Sequence, residues 1–189
     1  DSPFRLGVLN ILAGHSGPET AADARTHFGI FSPQVWKLFP RDQVITLNFW
    51  DYNDVAPGYL AAAEIAARDP KVGVIVLEVA RPDFPVVDRS KLADSDIKAA
   101  AKGFYILKDF DTSKPKEGYV VVQGASTTSN LVAQMEQIES EGHNVRIISA
   151  VSEELFNRQS QEYKDHVLPA SAKYNMMVVS TGTKRMWPV

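Results

Sequence analysis

Two histidines, an aspartate and an arginine lie where this chain could carry out chemistry. His15, Asp23 and His27 fall within one polar stretch, and Arg81 closely follows an apolar run. Imidazole and carboxylate groups bind Zn²⁺ or Fe²⁺, so the three residues of the stretch could form a metal site. A hydrolase triad with Ser16 as nucleophile is a second interpretation, and solvated loop polarity is a third. The residue types alone leave these interpretations open.

Three short apolar runs predict the strands that position these residues. The runs are nearly continuous and rich in β-branched residues, which is typical of strands buried on both faces of a parallel sheet. They are Leu6–Leu12, Val44–Leu47 and Val72–Val79. A helix is predicted between the last two, with Pro57 in its first turn and its end before Pro70. Because the carboxyl ends of parallel strands meet at one edge, the connection after the first strand and Arg81 after the third are expected to converge there.

A polar segment divides the chain into two patterned regions. Residues 113–118 include a proline and a glycine and predict a linker between domains at 1–112 and 119–189. The second region predicts strands at 119–123, 145–149 and 176–180, a helix at 128–140 capped by Thr127 or Thr128, and one or two short helices within 152–166. We therefore expect an α/β fold with two small parallel or mostly parallel sheets flanked by helices, in domains that could each be incomplete.

The composition is that of an ordinary globular protein. The chain has 189 residues, of which 44% are hydrophobic and 23% charged, and its formal net charge is −3. It has neither the basic stripe that nucleic acid requires nor an apolar run near the ~20 residues of a membrane span. The absence of cysteine fits a reducing compartment. We therefore expect a cytoplasmic protein without a nucleic-acid or membrane partner.

Several stretches resemble transketolase, the thiamine-diphosphate-dependent sugar enzyme. Residues 154–169 read E-L-F-N-R-Q-S-Q-E-Y-K-D-H-V-L-P and are similar to the family segment E-L-F-x-x-Q-x-x-x-Y-x-x-x-V-L-P. Residues 51–54 (D-Y-N-D) are similar to D-x-N-E, and residues 80–85 (A-R-P-D-F-P) are similar to S-R-Q-N-L-P. His15, Asp23 and His27 also reproduce the offsets of eight and four residues between His, Asp and His in the family motifs T-H-D-S-I-G and G-E-D-G-P-T-H-Q-P.

The resemblance implies an activity and residue roles for the parent enzyme. A two-carbon ketol unit is transferred between sugar phosphates on thiamine diphosphate held with Mg²⁺, in a homodimer. By position, His15 and Arg81 bind the sugar phosphate, and Asp23 accepts a hydrogen bond from a donor hydroxyl. His27 contacts the hydroxyl of the two-carbon unit and moves protons, so His27 and His15 are the expected catalytic residues.

The resemblance covers the later part of the pyrimidine-binding domain and the earlier part of the C-terminal domain. It therefore implies a fragment that is inactive alone, binds no cofactor and exposes apolar surface that favours self-association. The β component of a 2-oxoacid dehydrogenase and a deoxyxylulose-phosphate synthase share this two-domain arrangement and are the alternatives within the superfamily. A non-catalytic subunit that keeps the fold for assembly is the alternative from another class.

Overall fold

The structure, a computed structural model, describes residues 7–14, 32–80 and 83–182. Its strands are β1 (Leu9–Ala13), β2 (Val44–Asn48), β3 (Val74–Glu78), β4 (Phe104–Lys108), β5 (Gly118–Gln123), β6 (Val145–Ala150) and β7 (Met176–Ser180). Its helices are α1 (Ser32–Trp36), α2 (Tyr52–Arg68), α3 (Ala125–Ala133), α4 (Met135–Ser140), α5 (Glu153–Asn157) and α6 (Gln161–Val167). Short 3-10 helices span Arg89–Lys91, Ile97–Lys102 and Ala170–Tyr174.

The first sheet has the strand order β1-β3-β2, and its strands are all parallel. The side chains of β2 are all buried, as its continuous apolar run predicts. Strand β3 is central, so β1 and β2 are the edge strands among the described residues. The predicted strands of this region are therefore present and parallel.

The second sheet has the order β4-β6-β5-β7, with β4 antiparallel to β6 and the other pairs parallel. The α/β fold with two mostly parallel sheets flanked by helices is therefore confirmed. Strand β4 precedes the predicted linker at 113–118 and yet pairs within the second sheet. This polar segment connects β4 to β5 of one sheet, so the boundary between the sheets falls before Phe104 and not at 113–118.

Two helices differ from the sequence prediction in their bounds. Helix α2 begins at Tyr52, because the Asp51 side chain caps it by accepting a hydrogen bond from the backbone N–H of Asn53 at 3.2 Å. Pro57 therefore lies inside the helix and not in its first turn. The predicted helix at 128–140 is two helices, α3 and α4, separated at Gln134.

The two sheets share one hydrophobic core. Ile45 and Leu47 of β2 belong to the same buried cluster as Tyr105 and Leu107 of β4 and Leu155 of α5. Helix α2 packs against the 3-10 helix Ile97–Lys102 through buried alanines of both helices. The relative placement of the two sheets is therefore held by apolar packing. No helix within the described ranges is long and apolar enough to cross a membrane.

Candidate functional site

The four predicted site residues, His15, Asp23, His27 and Arg81, lie outside the described residues. Their mutual arrangement therefore remains a prediction. The structure does describe the strands that lead to them. Ala13 at the end of β1 is the register partner of Glu78 at the end of β3, so the chain leaves both strands at the same edge of the sheet.

A crevice lies at this edge, beyond the carboxyl ends of β2 and β3. Its volume is about 40 Å³, and aromatic side chains form much of its wall. They are Phe49, Trp50, Tyr52 and Phe84. A water molecule needs about 10–15 Å³ and ligand pockets commonly enclose about 300–1,000 Å³, so the crevice could hold a few waters but not a sugar phosphate. The described residues thus form at most the floor of a larger site.

The second sheet closes one side of the crevice. A smaller adjoining cavity is lined by Asn48 and Glu78 from the first sheet and by Gly124 and Thr181, which follow strands β5 and β7. Phe49, Ala80 and Ala125 line both cavities. The carboxyl ends of parallel strands from both sheets therefore meet here, where ligands of α/β proteins commonly bind.

Gly124 shapes the turn between β5 and α3. Its backbone has φ 99° and ψ 153°, a conformation essentially restricted to glycine, and an added Cβ would lie 2.4 Å from Thr181 Oγ1. Gly124 is the N-cap residue of α3, and no side-chain cap forms. The prediction of a cap by Thr127 or Thr128 is therefore wrong, because both residues lie inside α3. The Thr127 hydroxyl instead donates to the carbonyl of Gln123 at 2.5 Å.

A buried polar network lies behind the crevice and centres on the hydroxyl of Tyr105. That oxygen accepts hydrogen bonds from Trp50 Nε1 at 2.7 Å and Arg89 Nη1 at 3.0 Å. The hydroxyl lies 3.1 Å from each carboxylate oxygen of Asp54, to which it donates. Arg89 Nη2 also donates to Asp54 Oδ1 and lies 3.4 Å from Asp51 Oδ2. The network therefore joins the start of α2 in the first region to β4 of the second sheet.

Burial has the largest effect on the pKa values of Asp54 and Tyr105 in this network. Asp54 and Tyr105 are completely buried. Burial raises the pKa of Asp54 to about 6, although the charge and hydrogen bond of Arg89 act in the opposite direction. Burial, followed by the nearby Asp54 carboxylate, raises the pKa of Tyr105 well above its usual value. Tyr105 therefore stays protonated and remains a hydrogen-bond donor at neutral pH.

The edge of β2 is covered by the second region. The backbone N–H of Thr46 donates to Glu154 Oε2 at 3.2 Å, and the Thr46 hydroxyl donates to the same oxygen at 2.9 Å. The backbone N–H of Asn48 donates to the carbonyl of Val151 at 2.7 Å. The other oxygen of Glu154 accepts from Lys37 Nζ at 2.5 Å. The first residue of the E-L-F segment therefore satisfies edge-strand groups that would otherwise be buried without a partner.

Sequence reasoning missed the buried network and the role of Glu154. Arg89 lies 35 residues from Asp54 and 16 from Tyr105, so no local spacing connects these residues. The available signal was the D-Y-N-D motif, which supplies Asp51 and Asp54. The remaining two histidines stand apart from the crevice, since His143 contacts Glu117 at 3.1 Å on the surface and the carbonyl of His166 accepts from Arg146.

Comparison with known proteins shows similarity to transketolases. The family profile described as the transketolase-like TK C-terminal domain matches residues 103–188, which begin one residue before β4. Chloroplastic transketolase of Solanum tuberosum is 28% identical over 177 residues, which cover 94% of this chain and 22% of that protein. Transketolase of Physarum polycephalum is 28% identical over 182 residues, which cover 96% of this chain and 25% of that protein.

Solved transketolase structures share the fold. The Pichia stipitis enzyme in complex with sedoheptulose-7-phosphate gives a TM-score of 0.65 at 23% identity, over 88% of this chain and 22% of that one. The Campylobacter jejuni enzyme gives 0.63 at 18% identity, over 90% of this chain and 23% of that one. The chain thus spans about a quarter of the length of the transketolases that it matches. Residues 103–188 match the profile of the transketolase-like C-terminal domain, and nearly the whole chain is similar in sequence to part of several transketolases.

Proposed function

We propose that this chain forms part of the sugar-phosphate site of an enzyme that transfers a two-carbon ketol unit between sugar phosphates. One observation carries the proposal: transketolases match over more than nine-tenths of the chain, including both sides of the crevice. The parallel register of β1 and β3 supports it, because the chain positions that precede His15 and Arg81 leave the sheet at one edge. The chain alone, about a quarter of its relatives' length, is expected to have no transfer activity.

Each predicted site residue has one role in this proposal. Arg81 binds the phosphate of the sugar through a bidentate charge-assisted contact, assisted by His15. Asp23 accepts a hydrogen bond from a hydroxyl of the donor sugar and so discriminates between stereoisomers. His27 contacts the hydroxyl of the two-carbon unit and takes up or releases a proton there, for which an ordinary histidine pKa near 6.5 is suited.

Thiamine diphosphate, which the family implies, has no complete site among the described residues. The cavities at the strand ends enclose only about 40 Å³ and 10 Å³. In the described ranges no cluster of three or more His, Cys, Asp or Glu side chains could hold Mg²⁺. When bound, the cofactor supplies the carbanion chemistry. We propose that the groups that anchor the cofactor come from other parts of the full-length enzyme.

Two further properties are part of the proposal. A homodimer is supported by exposed apolar side chains on the edge strand β1, where Leu12 is 71% exposed. Light scattering over a concentration series is expected to show self-association, and a monomer at every concentration would refute it. We also propose a cytoplasmic location, since a chain without cysteine fits a reducing compartment. The potato relative is named as chloroplastic, so localisation of the tagged protein tests this point.

The transfer reaction is tested most directly by His27→Ala in the full-length protein. We expect kcat for two-carbon transfer to fall by about 10²–10⁴-fold, since this is the usual contribution of a positioned acid or base. Arg81→Leu is expected instead to raise KM for phosphorylated sugars and to leave KM for an unphosphorylated acceptor unchanged. Wild-type transfer by the His27→Ala protein would show that the assigned role of His27 is wrong.

A further inference from the structure

A second cavity is larger than the crevice and shares none of its lining residues. It encloses about 700 Å³, which is within the range of small-molecule sites. Helices α3 and α4 form one wall, and β4 with the chain segment before it forms the other. Apolar side chains, including Val87, Leu92, Val132 and Met135, line much of it.

A β-bulge in strand β4 turns a lysine into this cavity. Ile106 pairs with Ile148 of β6 and Lys108 pairs with the adjacent Ile147, so Leu107 is an extra residue on β4. Successive side chains of a regular strand point to opposite faces, but Leu107 and Lys108 both line the cavity. Bulges redirect side chains in this way and are common next to functional sites.

Lys108 is only 7% exposed, and the polar contacts of its ammonium group among the described residues are long. Lys108 Nζ lies 3.3 Å from Glu139 Oε1 and 3.4 Å from the carbonyl oxygen of Asp109. Charge-assisted hydrogen bonds are normally about 2.7–2.9 Å long, so both contacts are weak for a group with three donors. A nearly buried ammonium without strong partners is unfavourable, and an incoming anion would relieve this cost.

The other charges around the cavity leave Lys108 as the innermost binding group. The carboxylate of Asp109 is already engaged by Arg146, at 2.7 Å and 2.8 Å from two guanidinium nitrogens. Glu139 is 61% exposed and can turn into solvent without losing hydration. Lys91 and Glu136 also line the cavity, and both are exposed and carry opposite charges.

We propose that this cavity binds a small organic carboxylate with an apolar tail. The carboxylate replaces Glu139 as the partner of Lys108 Nζ, and the tail packs against the apolar walls. The inference is independent of the transferase proposal. Lys108 pairs with Ile147, toward the amino end of β6, whereas the crevice lies at the carboxyl ends of the parallel strands.

Calorimetric titration of the purified protein with octanoate tests the proposal. We expect saturable binding of octanoate and none of octylammonium, which has the same tail and the opposite charge. Lys108→Gln should weaken octanoate binding by about tenfold or more, as expected when a charge-assisted hydrogen bond is lost. Lys98→Gln is the matched control, because Lys98 is exposed and does not line the cavity, and it should bind octanoate like the wild type.

A second variant tests the cavity independently, in case Lys108→Gln does not fold. Ala133 lines the cavity from an exposed position, so Ala133→Trp should block the space without removing a buried contact. We expect this variant to unfold like the wild type and to show no octanoate binding. No binding by the wild type at millimolar octanoate, equal binding of octylammonium, or full binding by Ala133→Trp would each overturn the proposal.

Discussion

Replacement of Glu154 by alanine should destabilise the protein far more than replacement of its neighbour Glu153. Glu154 is 7% exposed, and its two oxygens satisfy the N–H and hydroxyl of Thr46 and the ammonium of Lys37. In the alanine variant the Thr46 groups lose their acceptor and Lys37, with 16% side-chain exposure, loses its closest counter-ion. Removing one partner of a buried ion pair typically costs about 3–5 kcal/mol.

Urea unfolding and thermal melting measure this cost. A loss of about 3–5 kcal/mol corresponds to a Tm decrease of roughly 10 °C for a chain of this length, at about 2–4 °C per kcal/mol. Glu154→Gln keeps an acceptor for Thr46 but removes the charge that faces Lys37, so an intermediate loss of about 1–3 kcal/mol is expected. Hydrogen exchange at the Thr46 amide should accelerate in the alanine variant, because its acceptor is gone.

Glu153 provides the matched control. It is 23% exposed and pairs with Arg41 at 2.9 Å and with Lys37 at 3.4 Å. Pairs of this exposure contribute about 0–1 kcal/mol, so Glu153→Ala should change the free energy of unfolding by less than 1 kcal/mol. Equal losses in Glu153→Ala and Glu154→Ala, or an unchanged exchange rate at Thr46, would refute the role assigned to Glu154.

The buried network and the Gly124 turn give two further predictions. Because burial raises the pKa of Asp54 to about 6 from an ordinary 3.8, its contribution to stability is complete below pH 3.8 and is lost as the pH rises through 6. Asp54→Asn should therefore gain stability relative to the wild type by roughly 2 kcal/mol between pH 4 and pH 7 in urea titrations, and a pH-independent difference would contradict this assignment. Gly124→Ala should cost about 2–4 kcal/mol, because backbone strain adds to the clash with Thr181 Oγ1. Gly142→Ala has a similar φ of 89° but no atom within 4 Å of the added Cβ, so it should cost only about 1–2 kcal/mol, and equal losses would exclude the clash.

The strands of the first region can be predicted from local sequence. The residues that cover the strand edges cannot, because they are distant in the chain. The apolar runs at β2 and β3 can hardly form anything but buried strands, and the structure has both. The sequence predicts a start of α2 near Pro57, because proline favours the first turn of a helix, whereas the Asp51 side chain caps the helix at Tyr52. Composition also cannot distinguish a linker from a loop within one sheet, so the polar segment at 113–118 indicated a boundary that hydrogen bonding between β4 and β6 excludes.

The arrangement of the candidate site is harder still to predict from local sequence. The spacing of His15, Asp23 and His27 predicts a shared function, but these residues and Arg81 lie outside the described ranges, so their roles remain predictions. The crevice edge itself was predictable, because parallel strands bring their carboxyl ends together. The burial of Arg89 and Tyr105 beside it was not, since a charged residue is buried only when tertiary partners satisfy it.

The coverage of β2 by Val151 and Glu154 has a consequence during protein synthesis. Thr46 and Glu154 are separated by 108 residues. At about 5–20 residues per second, β2 leaves the ribosome roughly 5–20 seconds before the residues that cover its edge. During that interval the outward N–H groups of Thr46 and Asn48 are open to pairing with another nascent chain. Expression that pauses after the first sheet would prolong this exposure, and truncation before α5 would make it permanent.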